Sequence, residues 1–97
     1  MTRAVRFRPE ALDDVLETQR WDASRAPGLG RAFAEASAYA IERIDQDPAA
    51  FPCVHGAVRR LVLRCFPCAV YFREEGDELL VLAVHGCQDP RRWRGCL

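Results

Sequence analysis

His85 and a set of arginines are the residues of this chain that could do chemistry. Histidine exchanges protons near neutral pH, so His85, closing an apolar run, suits general acid–base work. Its plainer role is a strand-end histidine satisfied by backbone or water. Arg60 and Arg64 are four residues apart. On a strand that spacing sets both on one face, with Val62 between them. Two guanidiniums so placed could grip one phosphate. The plainer account is a solvated face that keeps an outer strand soluble, and on the residues alone it is slightly preferred. Arg59, Arg73, Arg91 and Arg92 are further cations that could contact nucleic acid or another target. Trp93, between Arg92 and Arg94, could stack on a base; packing of the tail on the sheet is the simpler account. His55 reads as a structural or surface residue in a loop.

Five cysteines are present: Cys53, Cys65, Cys68, Cys87 and Cys96. The number is odd, and the first ten residues have no apolar segment of the kind that directs secretion. Reduced thiols are expected. Cys65-Phe66-Pro67-Cys68 is a single CxxC. Zinc would need two more ligands, which His85 and Cys87, on another strand, could in principle supply. A redox dithiol belongs at a helix N-terminus, and this pair lies in a strand hairpin. The cysteines are therefore read as small apolar filler, and neither a metal nor a cofactor is expected.

Fourteen basic residues balance fourteen acidic ones, for a formal net charge of zero, and every basic residue is arginine. Proteins that hold nucleic acid through phosphates usually carry excess positive charge, so any basic surface here must be local. The hydrophobic fraction, 49%, suits a soluble globular domain. The length, 97 residues, suits a single domain spanning 1–97. No apolar run approaches the ~20 residues of a membrane helix. The expectation is a cytoplasmic protein with no membrane contact.

The elements that would position these side chains follow from periodicity. Val5-Arg6-Phe7 alternates and reads as a first strand. Pro9 suits the first turn of a helix, and Glu10, Asp13 and Asp14 favour its N-terminus. That helix should reach about Ala23, with Trp21 packing near its end. Pro27-Gly28-Leu29-Gly30 breaks the chain. Leu29, Phe33, Ala36, Ala40 and Ile44 then recur at helical spacing until Asp47-Pro48. The two helices should form an antiparallel hairpin with one shared apolar face, and Trp21, Phe33, Tyr39 and Ile44 read as core. Val58 to Arg64 and Ala69 to Arg73 read as strands. Glu74-Glu75-Gly76-Asp77 reads as a hairpin turn with glycine for a positive φ. Glu78 to His85 is nearly all apolar, which predicts a central strand buried on both faces. The expected class is α+β, in the order β-α-α-β-β-β, with the helical hairpin packed on a small, mostly antiparallel sheet.

That order, with particular residues along it, resembles the RelE/ParE toxin family. Phe7-Arg8-Pro9-Glu10-Ala11 is similar to the family's opening strand-to-helix step. Trp21, Pro27-Gly28-Leu29-Gly30 and Phe33 are similar to its helix-hairpin loop. Ile44, Asp47-Pro48 and Phe51-Pro52 resemble the exit from the second helix. Val58-Arg59-Arg60, Phe66-Pro67, Val70-Tyr71-Phe72, Val81 to His85, Asp89-Pro90 and Trp93 resemble the sheet and tail. Each word is weak alone; their order over essentially all 97 residues is specific.

The resemblance implies a bacterial cytoplasmic toxin in a hetero-oligomer with a cognate antitoxin from the same operon. It implies that a flexible antitoxin segment wraps the toxin. It also implies one of two targets: the ribosome and its mRNA, cut by RelE-like members, or DNA gyrase, poisoned by ParE-like members without nuclease chemistry. A RelE-like activity needs a base, cations and an acid at one phosphate. His85, Arg60 and Arg64 would be its catalytic set, and the resemblance brings the phosphate-clamp account of the two arginines level with the plainer one. The chain departs from the nuclease pattern in four ways. It is neutral; Cys68 stands where many relatives have tyrosine; Cys87-Gln88 stands before Asp89-Pro90 where many relatives have polar or basic residues; and the tail after Trp93 offers no tyrosine. A gyrase poison loses nothing from these gaps, so the expected function is ParE-like. The alternatives are a ribosome-dependent endoribonuclease and a non-toxic antitoxin-binding module.

Overall fold

Two helices can cover only one side of a sheet, so the strands must sort their side chains by alternation. In the computed structural model, which describes residues 4–25, 28–63, 66 and 68–85, they do so. The elements are β1 (Ala4–Phe7), α1 (Pro9–Arg25), α2 (Leu29–Gln46), a single 3-10 turn (Pro48–Ala50), β2 (Cys53–His55), β3 (Val58–Val62), β4 (Ala69–Glu75) and β5 (Glu78–His85). The sheet order is β1-β5-β4-β3-β2. Only β1 with β5 is parallel; the other three pairings are antiparallel. The class is α+β, as the sequence predicts, with β2 as an added edge strand. Three exposed residues without alternation gave no periodic signal for it.

Helix α2 begins directly after Gly28, whose φ of 82° lies in the left-handed region that favours glycine. It ends at Asp47, whose amide donates to the Arg43 carbonyl at 3.2 Å before Pro48 blocks continuation. Its buried face carries Phe33, Ala40 and Ile44. Tyr39 is not core as expected: it lies on the outer face, 53% exposed, beside the Arg43 guanidinium. Helix α1 runs along α2 and against β5, and Ala11 is its fully buried residue. Leu12 and Leu16, one turn apart, stay about half exposed. The side chain of Trp21 lies outside the described residues.

The core joins the helices to one face of the sheet. Phe33 meets Phe66 edge to face at 5.6 Å, and Phe51 meets Phe72 likewise at 5.9 Å. Such pairs contribute about 0.5–1.5 kcal/mol each beyond the burial of their area. Strand β5 differs from the expectation. It is internal, between β1 and β4, but only Leu79, Val81 and Val84 are buried; Leu80, Leu82 and Ala83 are half-buried on the uncovered side or at an irregularity. Tyr71 faces Ala83 while Phe72 faces Val81, so Leu82 is an extra residue. This bulge shifts the alternation by one and lets Val84 join Val81 on the helix face.

The cysteines also differ from the expectation. Cys68 is buried but disulfide-bonded, not a reduced filler, and its partner lies outside the described residues. Cys53 is an exposed free thiol on β2, and His55 ends that strand rather than lying in a loop.

One polar contact ties the layers together. Strand β1 ends opposite Val81, so β5 has no strand neighbour on that side from Leu82 onward. There the Val84 amide donates to Asp14 Oδ2 of α1 at 3.1 Å. A partly buried hydrogen bond to a charged acceptor contributes about 1.5–3 kcal/mol, and losing it leaves the amide unsatisfied. Asp14→Ala should therefore lower unfolding free energy by about 1–2 kcal/mol, and Asp14→Asn by less, as read by urea denaturation. A change below about 0.5 kcal/mol for the alanine variant would show that water replaces the carboxylate.

Candidate functional site

The uncovered face of the sheet gathers the polar side chains of four strands. On β3, Leu61 is buried and Leu63 beyond it is too, which places Arg59 with them on the helix side and turns Arg60 and Val62 outward. Val62 is 61% exposed. Register sets Arg60 opposite Tyr71, and Arg73 opposite Leu80, which in turn faces Arg6 of β1. Arg6, Arg60, Tyr71 and Arg73 therefore share the outward face.

Most of that positive charge is neutralised locally. Arg73 holds Glu75 Oε2 with both Nη2, at 2.6 Å, and Nε, at 2.8 Å. Arg6 Nε lies 2.8 Å from Glu78 Oε2, and its Nη2 lies 3.7 Å from Glu75 Oε1. The result is one chain of alternating charge, Glu78–Arg6–Glu75–Arg73, across β1, β5 and β4. Partly exposed pairs of this kind contribute about 0–1 kcal/mol each; their larger effect is to cancel the field a phosphate would feel. Arg60 is exposed and makes no ion pair among the described residues. Arg59 does other work. Its Nη1 donates to the Phe51 carbonyl at 2.6 Å, and its Nε is 3.9 Å from Glu74 Oε1, in a side chain only 24% exposed. Parity with Leu61 and Leu63 could have assigned it to that side from the sequence.

The backbone of His85 ends β5 opposite Ala69; its side chain lies outside the described residues, as do Arg64, Arg91, Arg92 and Trp93. Among the described residues, no cluster of three histidine, cysteine or carboxylate side chains could hold a metal ion. What the described face presents is an exposed guanidinium, that of Arg60, beside a tyrosine and bordered by a neutral salt-bridge chain.

A second surface lies on the other side of the sheet. Between α1 and α2 a groove of about 160 Å³ opens to solvent. Phe7, Val70 and Val84 form its floor, Val15 and Ile41 its walls, and the exposed Leu12 and Ala38 its mouth. Its single polar group is Ser37 Oγ, which is buried and has no hydrogen-bond partner. No sequence signal marked Ser37.

A helical hairpin on one face of a five-stranded sheet, with a parallel outer strand from the N-terminus, defines a small two-layer α+β fold. The sequence matches no protein-family model and none of the curated proteins. Solved structures do share its fold. One is from the chromosomal ParDE toxin–antitoxin system of P. aeruginosa, with a TM-score of 0.77 at 16% identity, covering 90% of this chain and 98% of that one. Another is from the toxin–antitoxin complex RelBE2 of Mycobacterium tuberculosis, with a TM-score of 0.60 at 16% identity, covering 89% of this chain and 99% of that one. The fold is thus that of the RelE/ParE toxins. At this identity the likeness is one of backbone, and side-chain roles rest on the geometry above.

The two neighbouring arginines should behave oppositely. Arg59→Ala removes a partner from the Phe51 carbonyl and should cost about 1–2 kcal/mol of stability. Arg60→Ala should change stability by less than about 0.5 kcal/mol, as for an ordinary surface site. Thermal and urea unfolding of the two variants would check this; equal effects would mean that Arg60 is also held by the fold.

Proposed function

We propose that this protein is the toxin of a type II toxin–antitoxin pair, bound by an antitoxin from the same operon, and that it arrests growth in the cytoplasm by binding DNA gyrase. The fold shared with chains of ParDE and RelBE2 supports the toxin reading. The observation that carries the choice of target is the state of the sheet arginines. Arg6, Arg59 and Arg73 are each engaged by carboxylates, and Arg59 also by a carbonyl. Cleaving RNA without a metal needs unpaired cations and proton-transfer groups converging on one phosphate. A protein that acts by occupying its target needs only a complementary surface, and that requirement fits a neutral chain.

Arg60, exposed beside Tyr71, keeps the ribonuclease reading in view, with His85 and Arg64 as its remaining catalytic candidates. The two targets separate cleanly by experiment. The purified protein should inhibit supercoiling by bacterial gyrase, and His85→Ala should leave that inhibition within about twofold, roughly 0.4 kcal/mol. On translating ribosomes, primer extension should show no cuts in the A-site codon. Codon-phased cuts that vanish with Arg60→Ala or His85→Ala would replace the gyrase reading with the nuclease one. Harmless expression of the folded protein without its antitoxin would leave it an antitoxin-binding module alone.

A further inference from the structure

A disulfide is unusual in a cytoplasmic protein, and this chain holds one in its core. Cys68 is disulfide-bonded and only 2% exposed. Cytosolic thiols are kept reduced, and the disulfides that do form there are usually transient, catalytic or redox-sensing. Of the five cysteines, Cys53 is a free thiol, so the partner of Cys68 is Cys65, Cys87 or Cys96.

The bond lies where the sheet has least other support. Cys68 immediately precedes β4, whose first residue, Ala69, pairs with Val62 on one side and His85 on the other. Those are the last residues of β3 and β5, so three strands end abreast at this corner. Among the described residues, strand pairing of β4 stops at Ala69. Beyond it, the Cys68 carbonyl accepts the Leu63 amide at 2.8 Å, which closes the connection 64–67 between β3 and β4. Leu63 and Phe66 are buried there, and Phe66 meets Phe33 of α2 edge to face. One backbone bond, two apolar side chains and the Cys68 crosslink therefore hold the corner that joins the sheet to α2.

We propose that the Cys68 disulfide is a redox switch: formed, it locks the β3–β4 corner; reduced by a cellular dithiol, it lets that corner open and lowers the stability of the fold. This rests on the reading of the protein as a cytoplasmic toxin, and it makes the stability of the free toxin depend on the redox state of the cell. In the reduction, a thiolate of the dithiol attacks one sulfur, the S–S bond breaks, and the other sulfur leaves as a thiolate that takes a proton. The second thiol of the reductant then displaces the first cysteine from the mixed disulfide. Two electrons and two protons pass to the protein, and the dithiol ends as its own disulfide. A crosslink restricts the unfolded chain, so breaking it favours unfolding. Local opening should be felt first where the ladder has ended.

The test compares the full-length protein oxidised with glutathione disulfide and reduced with dithiothreitol. Thiol alkylation read by intact mass should modify at least two more cysteines after reduction, and peptide mapping of the oxidised form should find Cys68 in the linked pair. Reduction should lower Tm by at least about 5 °C. Hydrogen exchange at the Leu63 amide should rise at least about tenfold. Cys68→Ala should unfold at the Tm of the reduced protein and ignore dithiothreitol, whereas Cys53→Ser should respond as the native chain does. If Cys68→Ala fails to fold, reduction of the native protein carries the test alone. Across glutathione buffers spanning the cytosolic range, the native protein should pass from the oxidised to the reduced form. A bond that survives the whole range would be a permanent crosslink and would overturn the switch. So would a Cys68 thiol that stays free in glutathione disulfide, or a Tm and Leu63 exchange that reduction leaves unchanged. None of these readouts involves gyrase, ribosomes or growth, so a protein that fails every toxin assay but responds in this way loses its target and keeps its switch.

Discussion

Covering one face of a five-stranded sheet with two helices is the constraint from which the rest of this structure follows. Each strand must place its apolar residues on the covered side. Where length or sequence breaks that alternation, the backbone must change instead. Strand β5 shows the exchange. Leu79 and Val81 are two apart and Val84 is three further on, yet all three are buried. A bulge at Leu82 reconciles them. The same strand outruns β1, and Asp14 supplies from the helix the acceptor that a neighbouring strand would have offered the Val84 amide. Helix, bulge and edge are thus one solution to one burial problem.

The uncovered face is left to electrostatics. Its arginines are neighbours only because β1, β5 and β4 pair in a particular register, and the same register brings Glu75 and Glu78 between them. At separations near 2.6–3.7 Å these charges neutralise one another more effectively than they attract anything in solution. Arg60 escapes because it lies across β4 from the carboxylates, opposite Tyr71. The helices, by contrast, hold eight acidic and four basic residues. A chain with zero net charge thus contains a pair of acidic helices, something its composition alone conceals.

The helices and long strands were legible in the sequence because period and burial coincide there. Phe33, Ala40 and Ile44 mark α2 at helical spacing and are its buried residues. Asp47-Pro48 and the glycine turn at Gly76 mark their boundaries for backbone reasons that tertiary context does not alter. Tyr39 was misread because an aromatic residue next to an apolar stripe resembles core, whereas here it lies on the opposite side of the helix against Arg43. Strand β2 has no pattern to read, since all three of its residues face solvent. The apolar run of β5 suggested burial on both faces, but bulging and a half-covered outer face account for it equally well. At the site, the alternation of Arg59 and Arg60 between faces was readable from Leu61 and Leu63. The ion pairs were not, because they depend on strand register across three elements. Nor was the orphaned Ser37 hydroxyl, which is defined by what does not pack against it.

A chain of this length has room for a single core, so the open sheet face and the groove under the helices must be built on the same elements. Strand β5 belongs to both: Val84 floors the groove under the helices, while Leu80 and Ala83 face the open side. The groove is also the place where packing is left incomplete, with Leu12 and Leu16 half exposed and a hydroxyl unsatisfied. Unfilled space forfeits the dispersion contacts that an interior of normal density would make. Any segment that fills it adds those contacts to the folded state alone, and stabilises the protein by mass action. A filled groove would then be the more stable form.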